Sequence, residues 1–390
     1  MSTTANVPRI SEAASSMPRS GIREIMDLAW STGDDVIGLH VGEPSFPMST
    51  AAHTGAIEAL QAGHTRYAPN AGIPELRSAI ARRLAEDHAI DAQPEDVIVT
   101  SGGMQAISLA MAAVVRPGDE ILIPDPGWPN FAMAAHLMHT STRHYQLTAE
   151  NGFLPDLAEL ERIVSPRTRM LILNSPSNPL GTVFDRDTLV GLLDFAQAHG
   201  LWVLSDECYD AITFDQPHIS PASLGHAAKI LSCFSFSKTY SMTGMRVGYL
   251  LTPPGEGPAM AKLQEPLLSC VNAPAQYAAL AALNSGPDFI EQARQTYRQR
   301  RNQAAELLDS CNIPYLLPQG AFYMWIDVRE MTDSAVHFAR QAVVDKNVAV
   351  APGTAFGVTG EGYIRVSLAA PTDQVLEGLT RLFNNPQEQP

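Results

Sequence analysis

The stretch SCFSFSKTYSMTGMRVGYL, residues 232–250, contains a single lysine, Lys238, directly after an apolar run of the kind found in buried strands. Arg246 follows eight residues after the lysine, and several hydroxyl side chains lie within three residues of it, among them Ser235, Ser237 and Tyr240. A lysine withdrawn from water has a lowered pKa and can form a Schiff base, whereas hydroxyls and a guanidinium suit a phosphate. A surface loop lysine fits poorly behind such a strand, so the stretch predicts a reactive lysine beside an anion site.

Outward from this stretch, strand-like and helix-like segments alternate from about residue 55 to residue 285. The helix-like pattern of residues 187–200 ends at Gly200, a residue type that is common at helix C-termini. The strand-like runs are apolar at successive positions, which is typical of strands covered on both faces: residues 96–100, 120–124, 170–174, 201–206, 230–237 and 246–251. This alternation predicts an α/β fold with a mainly parallel sheet sandwiched by helices.

The pattern changes after residue 285, and a second region is expected there. Its elements are a long amphipathic helix, two strands and a closing helix: residues 288–312, 321–328, 363–369 and 373–385. A chain of 390 residues is too long for one simple core. We therefore expect a large domain over residues 48–285 and a smaller α+β domain formed by residues 1–47 together with residues 286–390.

Composition and charge restrict the class of protein. The chain is 45% hydrophobic and 17% charged, as in ordinary globular proteins, and its net charge of -15 disfavours nucleic acid and anionic membranes as partners. The N-terminal residues show no apolar signal segment, and the longest apolar stretch, residues 106–115, is too short to span a bilayer. The four cysteines lack metal-type spacing, so we expect reduced thiols, no metal site and a cytoplasmic location.

Two irregular segments follow predicted strands, at the sheet edge where open α/β sheets bind ligands. Residues 100–107, TSGGMQAI, place two glycines before a helix, where backbone N–H groups and the helix dipole suit a phosphate. A tight strand-to-helix turn explains these glycines equally well. Residues 174–184, NSPSNPLGTVF, form an irregular loop with two breaks at proline. An asparagine there could donate a hydrogen bond, although a simple proline-rich turn is the alternative.

Two charged residues stand within apolar strands. Asp206 ends the strand LWVLSD, with Tyr209 three residues further on, and a buried carboxylate there needs a partner such as a protonated ring nitrogen. A helix N-cap would also explain this aspartate. Arg365 interrupts the apolar strand YIRVSLA, which suits either a substrate carboxylate or a structural salt bridge. A Schiff-base lysine, an aspartate for a ring nitrogen and a phosphate site together describe one cofactor, pyridoxal 5′-phosphate.

Over nearly its whole length the chain resembles the class I/II, fold-type I aminotransferases of the aspartate aminotransferase superfamily. The spacing carries part of the resemblance, because Asp206 follows Asn178 by 28 residues and Lys238 follows Asp206 by 32. Motifs similar to those of the family carry the rest: SNPLG, SDECYD, SFSKTYSMTGMRVGY, HVGEPSF, RYAPNAGIPELR and PQGAFYMW. The resemblance implies a large domain that binds pyridoxal phosphate, a smaller domain, and ping-pong transfer of an amino group from an amino acid to a 2-oxo acid.

The resemblance also implies roles for the residues around the cofactor ring. Lys238 would form the Schiff base with the cofactor and would move a proton during the reaction. Asp206 would pair with the ring nitrogen. Asn178 and Tyr209 would hydrogen-bond the phenolic oxygen of the ring, and Trp128 would stack on the ring.

Further residues are implied for the phosphate, the substrate and the subunit interface. The phosphate would be bound by backbone amides and side chains of one chain: Gly102, Gly103, Met104, Ser235 and Arg246. Tyr67 would reach the phosphate of a neighbouring subunit, which makes a homodimer with shared active sites the expected assembly. Arg365 would bind the substrate α-carboxylate, with Asn178 and Gly42 close by.

Substrate choice is not decided by the resemblance. Met104 stands where some aspartate-specific relatives carry a lysine, and residues 267–276 offer no arginine, so we expect neutral or apolar amino donors with 2-oxoglutarate or pyruvate as acceptor. Arg23 could bind a distal acid, which keeps an aspartate-specific aminotransferase as an alternative. An amino-acid racemase or a β-lyase with the same cofactor and fold is a second alternative. A nicotinamide dehydrogenase is disfavoured because SGGMQA is not GxGxxG.

Overall fold

The computed structural model describes residues 10–383. Their α-helices, numbered in chain order, are α1 Glu12–Ser15, α2 Gly21–Thr32, α3 Thr50–Gln61, α4 Pro74–His88, α5 Gly102–Val114, α6 Asn130–Leu137, α7 Leu157–Ile163, α8 Arg186–Ala198, α9 Phe236–Thr239, α10 Gly257–Leu268, α11 Ala273–Asn284, α12 Asp288–Ser310, α13 Ala335–Lys346 and α14 Thr372–Phe383. Their strands are β1 Ile37–Gly38, β2 Val97–Thr100, β3 Glu120–Asp125, β4 Ser141–Gln146, β5 Thr168–Asn174, β6 Trp202–Asp206, β7 Lys229–Ser235, β8 Gly248–Leu251, β9 Tyr315–Leu316, β10 Tyr323–Asp327, β11 Val348–Ala349, β12 Ala351–Pro352 and β13 Tyr363–Ser367.

The central element is a seven-stranded sheet with the strand order β2-β8-β7-β6-β5-β3-β4. Strand β8 is antiparallel to both of its neighbours, and the other adjacent pairs are parallel. The carboxyl ends of β5, β6 and β7 therefore lie at one edge of the sheet, where Asp206 is in register with Asn174 on one side and with Cys233 on the other. The α/β fold with a mainly parallel sheet, expected from the sequence, is confirmed.

Apolar side chains cover both faces of this sheet, which explains why its strands are apolar at successive positions. In β6, Val203 packs in one apolar cluster with residues of α8, whereas its neighbour Leu204 packs in another cluster with residues of α5. Successive side chains of a strand point to opposite faces. A strand that is covered on both sides therefore gains buried apolar area at every position.

A second, four-stranded sheet with the order β12-β13-β10-β9 is antiparallel and carries Arg365 on β13, opposite Trp325 of β10. Strand β1 pairs in parallel with β11, so the N-terminal segment packs with the C-terminal part of the chain. The division into residues 48–285 and residues 1–47 with 286–390 stays a prediction. Its terminal residues 1–9 and 384–390, which include the last two residues expected in the closing helix, lie outside the described residues.

Local structure departs from the sequence prediction in three places. The strand expected over residues 230–237 ends at Ser235, whose Oγ accepts a hydrogen bond from Ser237 N at 3.2 Å and caps α9, so Lys238 lies on a short helix. Strand β8 begins only at Gly248, because Arg246 has a left-handed φ of 57°. No apolar pattern predicts β4, because this edge strand buries only Tyr145.

Candidate active site

A cavity of about 720 Å³ lies at the carboxyl ends of the parallel strands. Thirteen of the residues singled out in the sequence line it: Arg23, Gly42, Gly103, Met104, Trp128, Asn178, Asp206, Tyr209, Ser235, Ser237, Lys238, Arg246 and Arg365. Gly102 lies directly behind the wall, where a Cβ would come within 2.5 Å of Arg246 Nη2. Residues of the N-terminal segment, of the strand-and-helix region and of the C-terminal part of the chain therefore meet in one cavity.

Lys238 enters the cavity from the short helix α9. Its Nζ donates a hydrogen bond to the carbonyl oxygen of Gly42 at 2.7 Å. Burial lowers the pKa of this ammonium from 10.5 to about 8, and the nearby cations Arg365 and Arg246 act in the same direction. The amine is therefore partly neutral near physiological pH, which is the state in which it can act as a nucleophile or a base.

Asp206 stands at the end of β6 and is 4% exposed. Burial raises the pKa of its carboxyl from 3.8 to about 6, and the neighbouring Glu207 carboxylate adds to the increase. The backbone N–H of Cys208 donates to Oδ1 at 3.2 Å, and no cation pairs with this carboxylate among the described residues. A cationic or N–H group placed in the cavity would supply the missing partner. The helix N-cap considered above is absent, because a turn follows β6 here.

Arg246 lies against the beginning of α5 at one corner of the cavity. The guanidinium donates to Ser237 Oγ at 3.4 Å, to the carbonyl of Thr243 at 2.9 Å and to the carbonyl of Ser101 at 3.4 Å, and it has no ion pair among residues 10–383. Gly102 opens α5, whose first backbone N–H groups have no acceptor within the helix. A positive charge, a hydroxyl and a helix N-terminus at one point suit a phosphate group.

Arg365 also lines the cavity and is 2% exposed. Its Nη1 donates to Asn178 Oδ1 at 2.8 Å and its Nη2 to the carbonyl of His40 at 2.5 Å, while Nε is buried without a partner. Its carbon Cζ lies 4.2 Å from the ring centre of Tyr323 and 4.7 Å from that of Phe356. In the part of the chain that the structure describes no carboxylate neutralises Arg365, so a structural salt bridge does not explain it and its charge is left available for an anion.

Several cavity residues were not singled out by sequence reasoning. Tyr323 accepts or donates a hydrogen bond with Tyr209 across 2.9 Å between the two phenolic oxygens. His40 is buried, and burial, together with the neighbouring Arg365, lowers the pKa of its imidazole to about 4, so the ring is neutral. Cys208 lines the wall beside Asp206. The motifs HVGEPSF and PQGAFYMW contain His40 and Tyr323, so a closer inspection of those motifs could have found both residues.

Tyr67 is the one predicted site residue that the structure places elsewhere. Its side chain is 91% exposed and lies at a surface groove beside Leu60 and Cys270, not at the cavity. Its expected contact is with a neighbouring subunit, so its role stays a prediction.

Comparisons with known proteins identify the family to which the chain belongs. The family described as "Aminotransferase class I and II" matches residues 34–382. A putative aminotransferase of Bacillus subtilis is 36% identical over 375 residues, which cover 96% of this chain and 97% of the relative. The aromatic-amino-acid aminotransferase 2 of Thermococcus litoralis is 36% identical over 368 residues, covering 93% and 94%. The solved structure of Thermus thermophilus aspartate aminotransferase with maleate superposes with a TM-score of 0.91 at 32% identity, covering 97% and 100%.

Proposed function

The chain belongs to the aminotransferase class I and II family, and we propose that it moves an amino group from a neutral or apolar L-amino acid to a 2-oxo acid, with pyridoxal 5′-phosphate bound at Lys238. Amino-group transfer is the activity of the family; the donor, the cofactor and the roles of individual residues are the proposal. One observation carries it. Lys238, Asp206, Arg246 and Arg365 all line one cavity, and none of the four has an ion-pair partner among residues 10–383.

The residues that line the cavity suit pyridoxal phosphate. Glycine at positions 102 and 103 lets neighbouring side chains approach the start of α5 closely, since a Cβ at Gly102 would lie 2.5 Å from Arg246 Nη2 and a Cβ at Gly103 would lie 2.7 Å from Cys208 Sγ. Arg246 and the start of α5 suit the phosphate, and Asp206 suits a protonated ring nitrogen. When bound, the cofactor supplies an aldehyde carbon that takes up an amine and a ring that withdraws electrons from the substrate Cα.

The chemistry assigned to the protein is positioning and proton transfer. With a pKa of about 8, Lys238 offers a neutral amine that can take the proton from the substrate Cα and later release it. Arg365 binds the substrate carboxylate by charge-assisted hydrogen bonds and thereby limits the orientations of Cα. Asp206 keeps a proton at the ring nitrogen, and Tyr209 with Asn178 provides polar groups for the phenolic oxygen.

The choice of donor class is supported by apolar side chains among the residues that line the cavity: Ile22, Met26, Met104, Trp128 and Met133. They suit a neutral or apolar substrate side chain. Aspartate is the second candidate, because Arg23 also lines the cavity and its Nη1 bonds only Met26 Sδ, at 3.1 Å, among the described residues.

We also propose a homodimer with shared sites and a cytoplasmic location. Leu60 is 55% exposed and lines the same surface groove as the strongly exposed Tyr67, so apolar surface is available there for a subunit contact. A second copy of the chain is the occupant that would bring Tyr67 to a cavity. Within residues 10–383 no helix is long and apolar enough to cross a membrane.

A panel of amino donors tests the proposal. The purified protein, reconstituted with pyridoxal phosphate, is mixed with alanine, leucine, phenylalanine, aspartate or glutamate, and with 2-oxoglutarate or pyruvate. We expect kcat/KM for the best neutral donor to exceed that for aspartate by about tenfold or more. An aspartate preference would instead select the aspartate-specific alternative. Met104→Lys should raise kcat/KM for aspartate, whereas Met104→Leu, the matched control, should leave it unchanged.

Two further measurements separate the alternative reactions. An aminotransferase given a donor without an acceptor forms keto acid in an amount equal to the enzyme and then stops, because its mechanism is ping-pong. A racemase would form the D-enantiomer, and a β-lyase would continue to release keto acid. Lys238→Ala should abolish both turnover and borohydride-stable attachment of the cofactor. A fully active Lys238→Ala protein would overturn the proposed function.

A further inference from the structure

A second group of ionisable side chains lies directly behind the wall of the active-site cavity. It consists of five residues, which we call the rear cluster: Arg83, His88, Glu207, Asp210 and His218. None of them lines the cavity, and their side chains are between 0% and 8% exposed. The segment DECYD, residues 206–210, divides the two sites, because Asp206 and Tyr209 face the cavity while Glu207 and Asp210 belong to the rear cluster.

Asp210 makes the contacts that join the rear cluster to the helix that carries Lys238. One carboxylate oxygen binds Arg83 Nη2 and His88 Nε2, the latter at 2.9 Å. The other oxygen accepts a hydrogen bond from Thr239 Oγ1 at 3.3 Å. Because Thr239 follows Lys238 directly and Asp210 follows Tyr209 directly, this bond links the backbone that carries the lysine to the backbone that carries the tyrosine.

Helix α9 needs such an external constraint. It has only four residues, and helices this short have little stability of their own. Its N-terminus is held by Ser235, whose Oγ accepts from Ser237 N. At its C-terminal end, Thr239 is 2% exposed and its hydroxyl bonds only Asp210 among the described residues. The Thr239–Asp210 bond therefore restrains the end of the helix next to Lys238.

The other members of the rear cluster hold Asp210 in place. Arg83 donates from Nη1 to Tyr249 Oη at 3.0 Å and from Nε to Asp87 at 3.2 Å, so the guanidinium is fixed on three sides. Glu207 is bound in turn by His218 Nε2 at 2.7 Å and Ser220 Oγ at 3.1 Å. The rings of His88 and His218 meet edge to face at 5.7 Å.

Stability alone does not account for this arrangement. A buried ion pair is often no more stabilising than apolar side chains of the same volume, because both charges lose their hydration. What a buried hydrogen-bonded network provides is one defined geometry, and in the rear cluster only the Nδ1 atoms of His88 and His218 lack a partner among the described residues. Here that geometry concerns the two backbone segments that present Asp206, Tyr209 and Lys238 to the cavity.

We propose that Asp210 is a positioning residue that acts through Thr239: it fixes helix α9 against the segment 206–210 and so sets where Lys238 stands relative to Asp206 and Tyr209. This inference rests on the proposed function, since it concerns the site at which the cofactor would be bound. Asp210 itself touches neither substrate nor cofactor.

Three variants of the reconstituted holoenzyme test the inference. Thr239→Val keeps the shape of the side chain and removes the hydrogen bond, Thr239→Ser keeps the hydroxyl, and Asp210→Asn removes the charge. Glu120→Gln is the matched control, because Glu120 is also a buried carboxylate of the large sheet paired with arginines, Arg143 and Arg167, and it does not line the cavity.

The readouts are the dissociation constant of pyridoxal phosphate, the fraction of cofactor trapped on Lys238 by borohydride, and kcat and KM separately. Thr239→Val should weaken cofactor binding about tenfold, the loss expected for one hydrogen bond to a charged group. It should lower kcat with little change in KM. Thr239→Ser should have the cofactor affinity and the kcat of the wild type. Asp210→Asn should weaken cofactor binding and lower kcat more than Thr239→Val does. Glu120→Gln should unfold at lower denaturant concentration yet bind the cofactor as the wild type does.

Equal cofactor affinity and kcat in wild type and Thr239→Val would overturn the inference, even if Asp210→Asn failed to fold. So would a Thr239→Ser protein as defective as Thr239→Val, because the hydroxyl would then be irrelevant. Failure of the wild type to bind pyridoxal phosphate would contradict the proposed function instead, and the two failures are thereby distinguished.

Discussion

Lys238 donates its Nζ hydrogen bond to the carbonyl oxygen of Gly42 across 2.7 Å, although 196 residues separate the two in the chain. The partner is a glycine for a steric reason. A Cβ at position 42 would lie 1.8 Å from Tyr323 Oη, which in turn bonds Tyr209. One residue of the N-terminal segment therefore both holds the lysine and leaves space for the two tyrosines.

Replacement of Gly42 by alanine should displace Tyr323 or the N-terminal segment, because no side chain fits in the space. We expect the dissociation constant of pyridoxal phosphate to rise by about tenfold or more, as for loss of a positioning contact. Titration of the apo-protein with cofactor measures this. Gly244→Ala is the control, since a Cβ there meets nothing within 4 Å. Normal cofactor binding by Gly42→Ala would show that the contact is dispensable.

The lowered pKa of Lys238 predicts a pH dependence of stability in the apo-protein. In the folded state the amine loses its proton at about pH 8, whereas the unfolded chain keeps it up to about pH 10.5. Because the unfolded chain binds more protons in that interval, this group makes the free energy of unfolding rise between pH 8 and pH 10.5. Below pH 8 the lysine is protonated in both states, and its burial lowers the free energy of unfolding by the full amount.

Denaturant unfolding of wild type and Lys238→Met isolates this effect from other titrating groups. At pH 7 the variant should be more stable by up to about 3 kcal/mol, the free energy that corresponds to the pKa shift. The difference should shrink as the pH approaches 10.5. A constant difference across this range would mean that the lysine is not desolvated.

Arg365 should be needed for substrate binding and not for folding. Burial lowers the pKa of its guanidinium, which reflects the cost of an unneutralised charge in the interior. Arg365→Met should therefore leave the apo-protein as stable as the wild type or more so, yet raise KM about a hundredfold through loss of the paired hydrogen bonds to the carboxylate. Denaturant unfolding measures the stability of the apo-protein, and steady-state kinetics with monocarboxylic donors measures KM. An unchanged KM would remove the arginine from the substrate site.

Shared active sites predict recovery of activity in mixed dimers. Lys238→Ala lacks the reactive amine, and Tyr67→Ala lacks the group expected to reach across the interface. Co-expressed, they should form hybrids in which one site has both residues, so activity at limiting cofactor should reach about a quarter of the wild-type value. If each site used only its own chain, the mixture would show just the mean of the two variants.

The strands of the large sheet illustrate what a local pattern can predict. Runs such as residues 170–174 and 201–206 are apolar at successive positions because both faces of their strands are covered. Burial therefore leaves a pattern at each position that can be recognised in the sequence. Strand β4 has no such pattern, because it is an exposed edge. The end of β7 at Ser235 depends on a side chain that caps a helical turn, which hydrophobicity does not report.

The sequence by itself determined the fold class, because the periodicity of strands and helices is a property of the chain alone. It also indicated the family and the reactive residue types, through motifs that resemble those of known members. Only the tertiary structure decided that Arg365 has no carboxylate partner among the described residues, that Lys238 bonds Gly42, and that Asp210 reaches Thr239. Each of these depends on the docking of segments distant in sequence. The physical reason is that burial, which moves the pKa values and leaves charges unpaired, is set by what packs against a residue and not by its neighbours in the chain.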